Sequence, residues 1–140
     1  MMTGLEGKVS TADLPWIDLG TGLEGNRIKV LRISEETGSY SILIHARAGT
    51  VNQAHVHSGP ADFYILKGRL EYRLGEAKAG DWMYEPAGAV HDATTATEDT
   101  LYLANVHGPV IFHKPDGSLD YVQDWRTIKD LAEQAKRRAT

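Results

Sequence analysis

Three histidines supply the first chemical lead in this chain. His55 and His57 flank Val56, and His91 follows well downstream. On a β-strand, residues i and i+2 project from one face, so His55 and His57 would present two imidazoles together. Two such rings chelate a divalent metal well, and one more would complete a facial set. Alone, His-x-His is a motif that coincidence also produces. Its setting raises its weight: Gly49 precedes it and Gly68 follows it, each where backbone freedom is useful. A second glycine-bounded segment runs from Gly80 through Pro86-Ala87-Gly88 to His91. There Glu85-Pro86-Ala87-Gly88 fits a type I turn, proline second and glycine fourth, that would deliver His91 onto the next strand as the natural third ligand.

The elements that must position these rings read as short strands. Apolar and β-branched runs predict strands over 27–34, 40–46, 63–67, 69–74, 82–85, 90–94, 101–106 and 110–113, with Lys114-Pro115-Asp116-Gly117 as a turn. Several short strands at this spacing indicate an all-β sandwich or barrel. On the strand after His57, Ala61, Phe63 and Ile65 share one face while Asp62, Tyr64 and Leu66 share the other. Beyond Asp124 the pattern changes: Trp125, Ile128, Leu131, Ala132 and Ala135 recur at helical spacing. Asp124 or Thr127 suits the cap of one amphipathic helix, laid on the barrel or on a neighbouring subunit.

Bulk properties narrow the function classes. A chain of 140 residues holds one domain with a real core, and 41% hydrophobic with 24% charged residues is ordinary for a globular protein. A formal charge of −4 argues against a nucleic-acid surface. The basic run Lys136-Arg137-Arg138 reads as charge complementing a helix end. Without cysteine there are no disulfides, thiolate ligands or cysteine nucleophiles. The opening residues lack the pattern of a secretory signal, and no apolar run reaches membrane-spanning length, so a cytoplasmic location without a membrane partner is expected.

The two histidine segments resemble the paired signatures of the cupin superfamily, G(X)5HXH(X)3,4E(X)6G and G(X)5PXG(X)2H(X)3N. Two positions depart from them: Ala61 stands in place of the glutamate and Thr95 in place of the asparagine. The resemblance implies a single-domain all-β fold, a jelly-roll β-barrel over 14–124; the polar, Gly/Thr-rich residues 1–13 read as a loose arm before it, and the helical spacing predicts a C-terminal α-helix over 125–140. Within that superfamily the chain is similar to the acetylacetone-cleaving and dihydroxyacetophenone dioxygenases. Leu14-Pro15-Trp16, Gly59-Pro60, Lys67-Gly68-Arg69, Tyr84–Gly88 and Gly108-Pro109 carry that likeness.

The acetylacetone-cleaving group holds iron with three histidines and no carboxylate, which agrees with Ala61. By that resemblance His55, His57 and His91 are the metal ligands, and Arg73 and Glu85 match polar residues near the metal centre. Phe63 stands where an aromatic lines the substrate pocket; Ala61 is placed at the same pocket, and His107, on a late strand, is expected to face the cavity. The implied activity is cleavage of a C–C bond in a small β-dicarbonyl or hydroxyketone with O2, by a homo-oligomer, dimer or tetramer. Arg73 and Glu85 would handle the enolate proton or pair with each other. Fe(II) is the expected cofactor, although imidazoles suit Zn, Ni or Cu as well. A zinc hydrolase and a non-enzymatic metal- or ligand-binding cupin are the competing readings. Of the other histidines, His45 is expected to be structural or near the barrel mouth and His113 solvated.

Overall fold

The computed structural model describes residues 1–140 apart from Thr3, Leu5, Thr21, Gly22, Asp92 and Thr140; of His91 it describes the backbone. After a 3-10 turn at Thr11–Asp13 come β1 (Ile17–Asp18), β2 (Asn26–Ile33), β3 (Tyr40–Ala46), β4 (Val51–Asn52), β5 (His55–His57) and β6 (Ala61–Lys67). They are followed by β7 (Arg69–Tyr72), β8 (Gly75–Lys78), β9 (Trp82–Glu85), β10 (Val90–His91) and β11 (Thr94–Ala96). The chain ends in β12 (Thr100–Val106), β13 (Val110–His113), β14 (Leu119–Gln123) and α1 (Trp125–Arg138).

A six-stranded sheet in the order β1-β2-β3-β12-β6-β9 forms one wall of the barrel. Two four-stranded sheets, β10-β5-β13-β14 and β4-β11-β7-β8, contribute the remaining walls. Side chains from all three sheets line one interior cavity, so they enclose a common space. Alternation decides which side chains enter it. In β12, Thr100, Tyr102, Ala104 and Val106 are buried while the residues between them are only partly covered.

The core falls into two clusters. One gathers Ile28, Ile33, Tyr40, Val106 and Ile128, the other Ala46, Ile65, Leu70 and Tyr102, and Ile44 and Phe63 pack against both. The helix seals the first. Both expected caps act at once: Asp124 Oδ1 accepts from the backbone N–H of Arg126 and Thr127, and Asp124 N–H donates to Thr127 Oγ1. Such a capping box stabilises the helix start by about 1 kcal/mol. Fully buried Ile128 then anchors α1 on the barrel, with Leu131, Ala132 and Ala135 beside it. Burying one such side chain is worth about 2 kcal/mol. Among the described residues no helix is long and apolar enough to cross a membrane.

Several local expectations change. The strand expected over 90–94 is two strands: β10 pairs with β5, whereas β11 pairs with β4 and β7, because the chain passes from one sheet to another here. The strand expected over 69–74 stops at Tyr72, and Gly75 opens β8, its hairpin partner. Within residues 1–13, Met2 forms a bridge to β2, its N–H donating to Leu31 O at 3.0 Å while Ile33 N–H donates to Met2 O at 2.9 Å. Gly68 sits where β6 turns into β7 with φ of +90°, and a Cβ there would lie 2.3 Å from the Asp99 carbonyl oxygen. The second glycine of the first motif therefore answers a steric demand.

Candidate metal centre

β5 lies between β10 and β13, so its residues are held from both sides. His55 stands opposite His91 on β10 and Phe112 on β13, and His57 stands opposite Val110. The expected shared face is present: the His55 and His57 ring centroids are 5.0 Å apart, with the planes inclined at 68°.

The turn before β10 is tied directly to this pair. Gly88 N–H donates to His57 O at 2.7 Å, and His57 N–H donates to Ala89 O at 3.3 Å. The turn itself closes through Ala89 N–H donating to Pro86 O at 3.1 Å. It therefore spans residues 86–89, one later than the type I turn expected over 85–88. Gly88 occupies its third position with φ of +81°, which favours glycine. The consequence is functional, since Glu85 immediately before the turn and position 91 just after it are brought to the same end of the barrel as His57.

Glu85 alters the expected donor set. Its Oε2 lies 3.2 Å from His57 Nε2, and both residues are buried. Ala61 on β6 is the direct ladder partner of Glu85 on β9. Position 61 carries no carboxylate, but the neighbouring strand brings one to the histidines, so a centre without an acidic neighbour is not what the fold builds. Burial pushes the Glu85 carboxyl up to about 7, with the positive charge of Arg73 working against that shift. Burial also raises the Tyr102 hydroxyl, with a smaller contribution from Glu85, so that phenol stays protonated.

His55 has the chemistry of a neutral ligand. Its Nδ1–H donates to Gln53 O at 2.9 Å, since a carbonyl can only accept, and this leaves Nε2 as the lone-pair nitrogen. Metal-binding histidines are commonly oriented by such a backbone bond. Burial holds its pKa below the usual histidine range. Among the described residues no three His, Asp or Glu side chains are gathered tightly enough to hold a metal ion. The side chain of His91, expected as the third ligand, lies outside the described residues. By donor chemistry alone, two adjacent imidazoles, His57 buried and His55 half-buried, are a pair that suits a divalent transition metal.

The imidazoles border an interior cavity of about 110 Å³. Its walls are mainly apolar, including Ile42, Ile44, Phe63 and Leu70, and Glu85 and Tyr102 also reach it. Phe63 lies edge-on to His57, with ring centroids 6.2 Å apart. His55 and Phe112 border a second, surface groove of about 500 Å³ as well, so the His55 ring stands between the surface and the interior.

The remaining candidates are placed differently. Phe63 lines the cavity. Ala61 is fully buried within the first core cluster and does not itself line the cavity that Phe63 and Glu85 border. His107 does not face the cavity. Val106 takes the inward position at the end of β12, so the next residue points out, and His107 is exposed with its Nδ1 3.0 Å from Ser39 Oγ. Arg73 is exposed in the turn between β7 and β8, near enough for its charge to act on Glu85. His45 is half-buried on β3, its ring edge-on to Trp16, and His113 is exposed. Asn26, Asn52 and Tyr102 line the cavity without having been singled out. Asn26 carried a usable signal, a polar residue two positions before Ile28 and therefore in phase with the inward face of β2.

A barrel whose two histidine-bearing segments meet at one end of an apolar cavity defines the cupin class. A family model for the ChrR cupin-like domain matches residues 6–111, and the chain belongs to that family. It is 29% identical over 97 residues to an acetylacetone-cleaving enzyme of Acinetobacter johnsonii, a match covering 65% of this chain and 63% of that protein. The chain thus spans somewhat less than two thirds of the length of this curated relative. A solved structure from Methylibium petroleiphilum, assigned provisionally as an acetylacetone dioxygenase, is 31% identical. It superposes with a TM-score of 0.84 over 90% of this chain and 93% of that one. The acetylacetone dioxygenase structure from Acinetobacter johnsonii, at 23% identity and a TM-score of 0.86, covers 94% of this chain and 93% of its own, and supports the fold.

Proposed function

We propose that this protein is a metal-dependent dioxygenase that uses O2 to cleave a C–C bond in a small β-dicarbonyl or hydroxyketone. In this reading His55, His57 and His91 hold Fe(II). The observation that carries it is the pair of adjacent imidazoles, one 3.2 Å from a buried carboxylate, at the edge of a small apolar cavity. The names of two relatives, each referring to acetylacetone, support the substrate class. Position 91 lies directly opposite His55, and opposed residues of an antiparallel ladder share a face, which supports the third ligand.

When bound, the metal supplies Lewis acidity and a template for substrate and O2. The chain does the rest. Ile42, Ile44, Phe63 and Leu70 exclude water and confine a small carbonyl compound beside the imidazoles. Glu85, whose carboxylate borders the cavity, takes up the proton that a β-dicarbonyl loses on becoming its enolate. Arg73 offsets the charge of that carboxylate, and Phe63 keeps the His57 ring in place.

Anaerobic reconstitution with Fe(II), followed by acetylacetone and air, tests the reading. O2 consumption in step with loss of the diketone is expected, and removal of the metal by a chelator should stop it. Tight zinc with esterase activity would point instead to a hydrolase, and stoichiometric binding without turnover to a non-enzymatic binding protein.

We further infer a cytoplasmic homo-oligomer, dimer or tetramer. Trp82 and Tyr84, 61% and 56% exposed, stack on the outer face of edge strand β9, beside exposed Tyr64 and Leu66 of β6. An apolar patch on an edge strand invites association unless it is covered. Replacing Trp82 and Tyr84 together by lysine should shift the protein to monomer in sedimentation; unchanged association would remove this face from consideration.

A further inference from the structure

Tyr102 brings to the cavity a hydroxyl that no described protein group satisfies. It occupies an inward position of β12 and lines the same cavity as His57, Phe63 and Glu85. The residue is 6% exposed. Its hydroxyl makes no hydrogen bond to a described residue, yet it is not sealed. The Tyr121 hydroxyl is both unpartnered and closed off, whereas that of Tyr102 keeps contact with open space. Because the side chain points inward, that space is the cavity. Ile44, Phe63 and Leu70, its neighbours in the wall, offer no side-chain acceptor. An O–H left unpaired in apolar surroundings costs free energy that a bound acceptor recovers.

Its position fixes the chemistry of that acceptor. The Phe63 ring centroid lies 6.2 Å from the Tyr102 ring and 6.2 Å from the His57 ring, so phenol, phenyl and imidazole form a row along which a small dicarbonyl can lie. Burial and the nearby Glu85 carboxylate keep the phenol protonated, so it has a proton to share. Among the described residues no lysine or arginine lines the cavity. Charge gathering on a substrate oxygen must then be met by neutral donors, beyond what a metal supplies. Tyr72, another phenol at the cavity, is half-buried at the β7–β8 turn, where water competes for it. Resting on the dioxygenase reading, we propose that Tyr102 is a further catalytic residue, whose O–H donates to a carbonyl oxygen of the bound β-dicarbonyl. As the substrate C–H proton passes to the Glu85 carboxylate, the electron pair of that bond is delocalised onto the carbonyl oxygens. The hydrogen bond from Tyr102 strengthens in response, and the phenol keeps its proton.

Tyr102→Phe removes one oxygen and keeps the ring. Calorimetric Kd values for acetylacetone are measured on parent and variant loaded anaerobically with Fe(II), where turnover cannot occur. The variant should bind about 10- to 100-fold more weakly, as loss of a hydrogen bond to a charged group predicts, with unchanged metal content. The same comparison on both proteins as purified decides the matter if iron does not load. Because the hydroxyl has no described protein partner, the urea midpoint should hold or rise, whereas a structural hydroxyl would lower it on removal. Tyr121→Phe, whose hydroxyl is shut off from the cavity, should leave the Kd unchanged. Equal affinities in parent and Tyr102→Phe, a lowered midpoint, an equal weakening in Tyr121→Phe, or no binding of acetylacetone to the parent would each overturn the assignment. O2 consumption with an unchanged Kd in Tyr102→Phe would remove Tyr102 and leave the dioxygenase reading intact. Hydroxyl-dependent binding without O2 consumption would do the reverse.

Discussion

Replacing His57 by alanine should abolish metal retention and lower turnover by more than about 100-fold, the upper end of what loss of an outer-shell residue costs. The expectation rests on how thoroughly this ring is held. His57 is 3% exposed, its backbone is clamped by Gly88 and Ala89, and its Nε2 lies 3.2 Å from Glu85 Oε2. Removing the imidazole takes away a donor and also leaves the Glu85 carboxyl buried beside a void. Elemental analysis of the purified variant and O2 uptake with acetylacetone measure the two losses separately. His91→Ala should behave alike if position 91 supplies the third ligand, whereas His113→Ala, on an exposed residue, should match the parent protein in both. Full metal content with normal turnover in His57→Ala would refute the assigned ligand set.

The centre was legible in the sequence where chemistry depended on local periodicity. Two residues apart on a strand means one face, and the rings of His55 and His57 meet as that rule requires. The helix start was legible for a similar reason, because Asp124 and Thr127 lie within one turn of each other and act through local bonds. Features set by long-range pairing were not legible. That a buried carboxylate, Glu85, stands opposite Ala61 follows from β9 lying beside β6 in the sheet, and nothing in either segment announces that neighbour. His107 was misplaced by phase alone, since an inward Val106 forces its successor outward. The break between β10 and β11 was hidden because one apolar stretch serves two sheets in succession. Asn26 escaped notice because β2 begins one residue earlier than its apolar pattern suggests, which conceals that the asparagine is in phase with Ile28.

The same ladder makes Ala61→Glu a severe test of the site. Restoring a glutamate to this position of the motif should not restore a simple three-histidine, one-carboxylate centre, because Glu85 already occupies the adjacent place. Ala61 has no exposed surface and packs with Ala104 and Val106, so the longer side chain must displace core neighbours. Overpacking of this kind costs about 1–3 kcal/mol. A second buried carboxylate one cross-strand step from Glu85 adds like-charge repulsion, since directly opposed Cβ atoms lie about 5 Å apart. Together these should lower stability by roughly 3 kcal/mol or more, read as a lower urea midpoint at unchanged slope. The variant should still retain metal through the histidines but turn over differently. Pairing it with Glu85→Gln, which removes the charge at nearly constant volume, isolates the electrostatic part: the double variant should lose less stability than the sum of the two single losses, as coupled neighbours do. A tolerated Ala61→Glu, or strict additivity in the cycle, would mean that positions 61 and 85 do not share the environment this ladder assigns them.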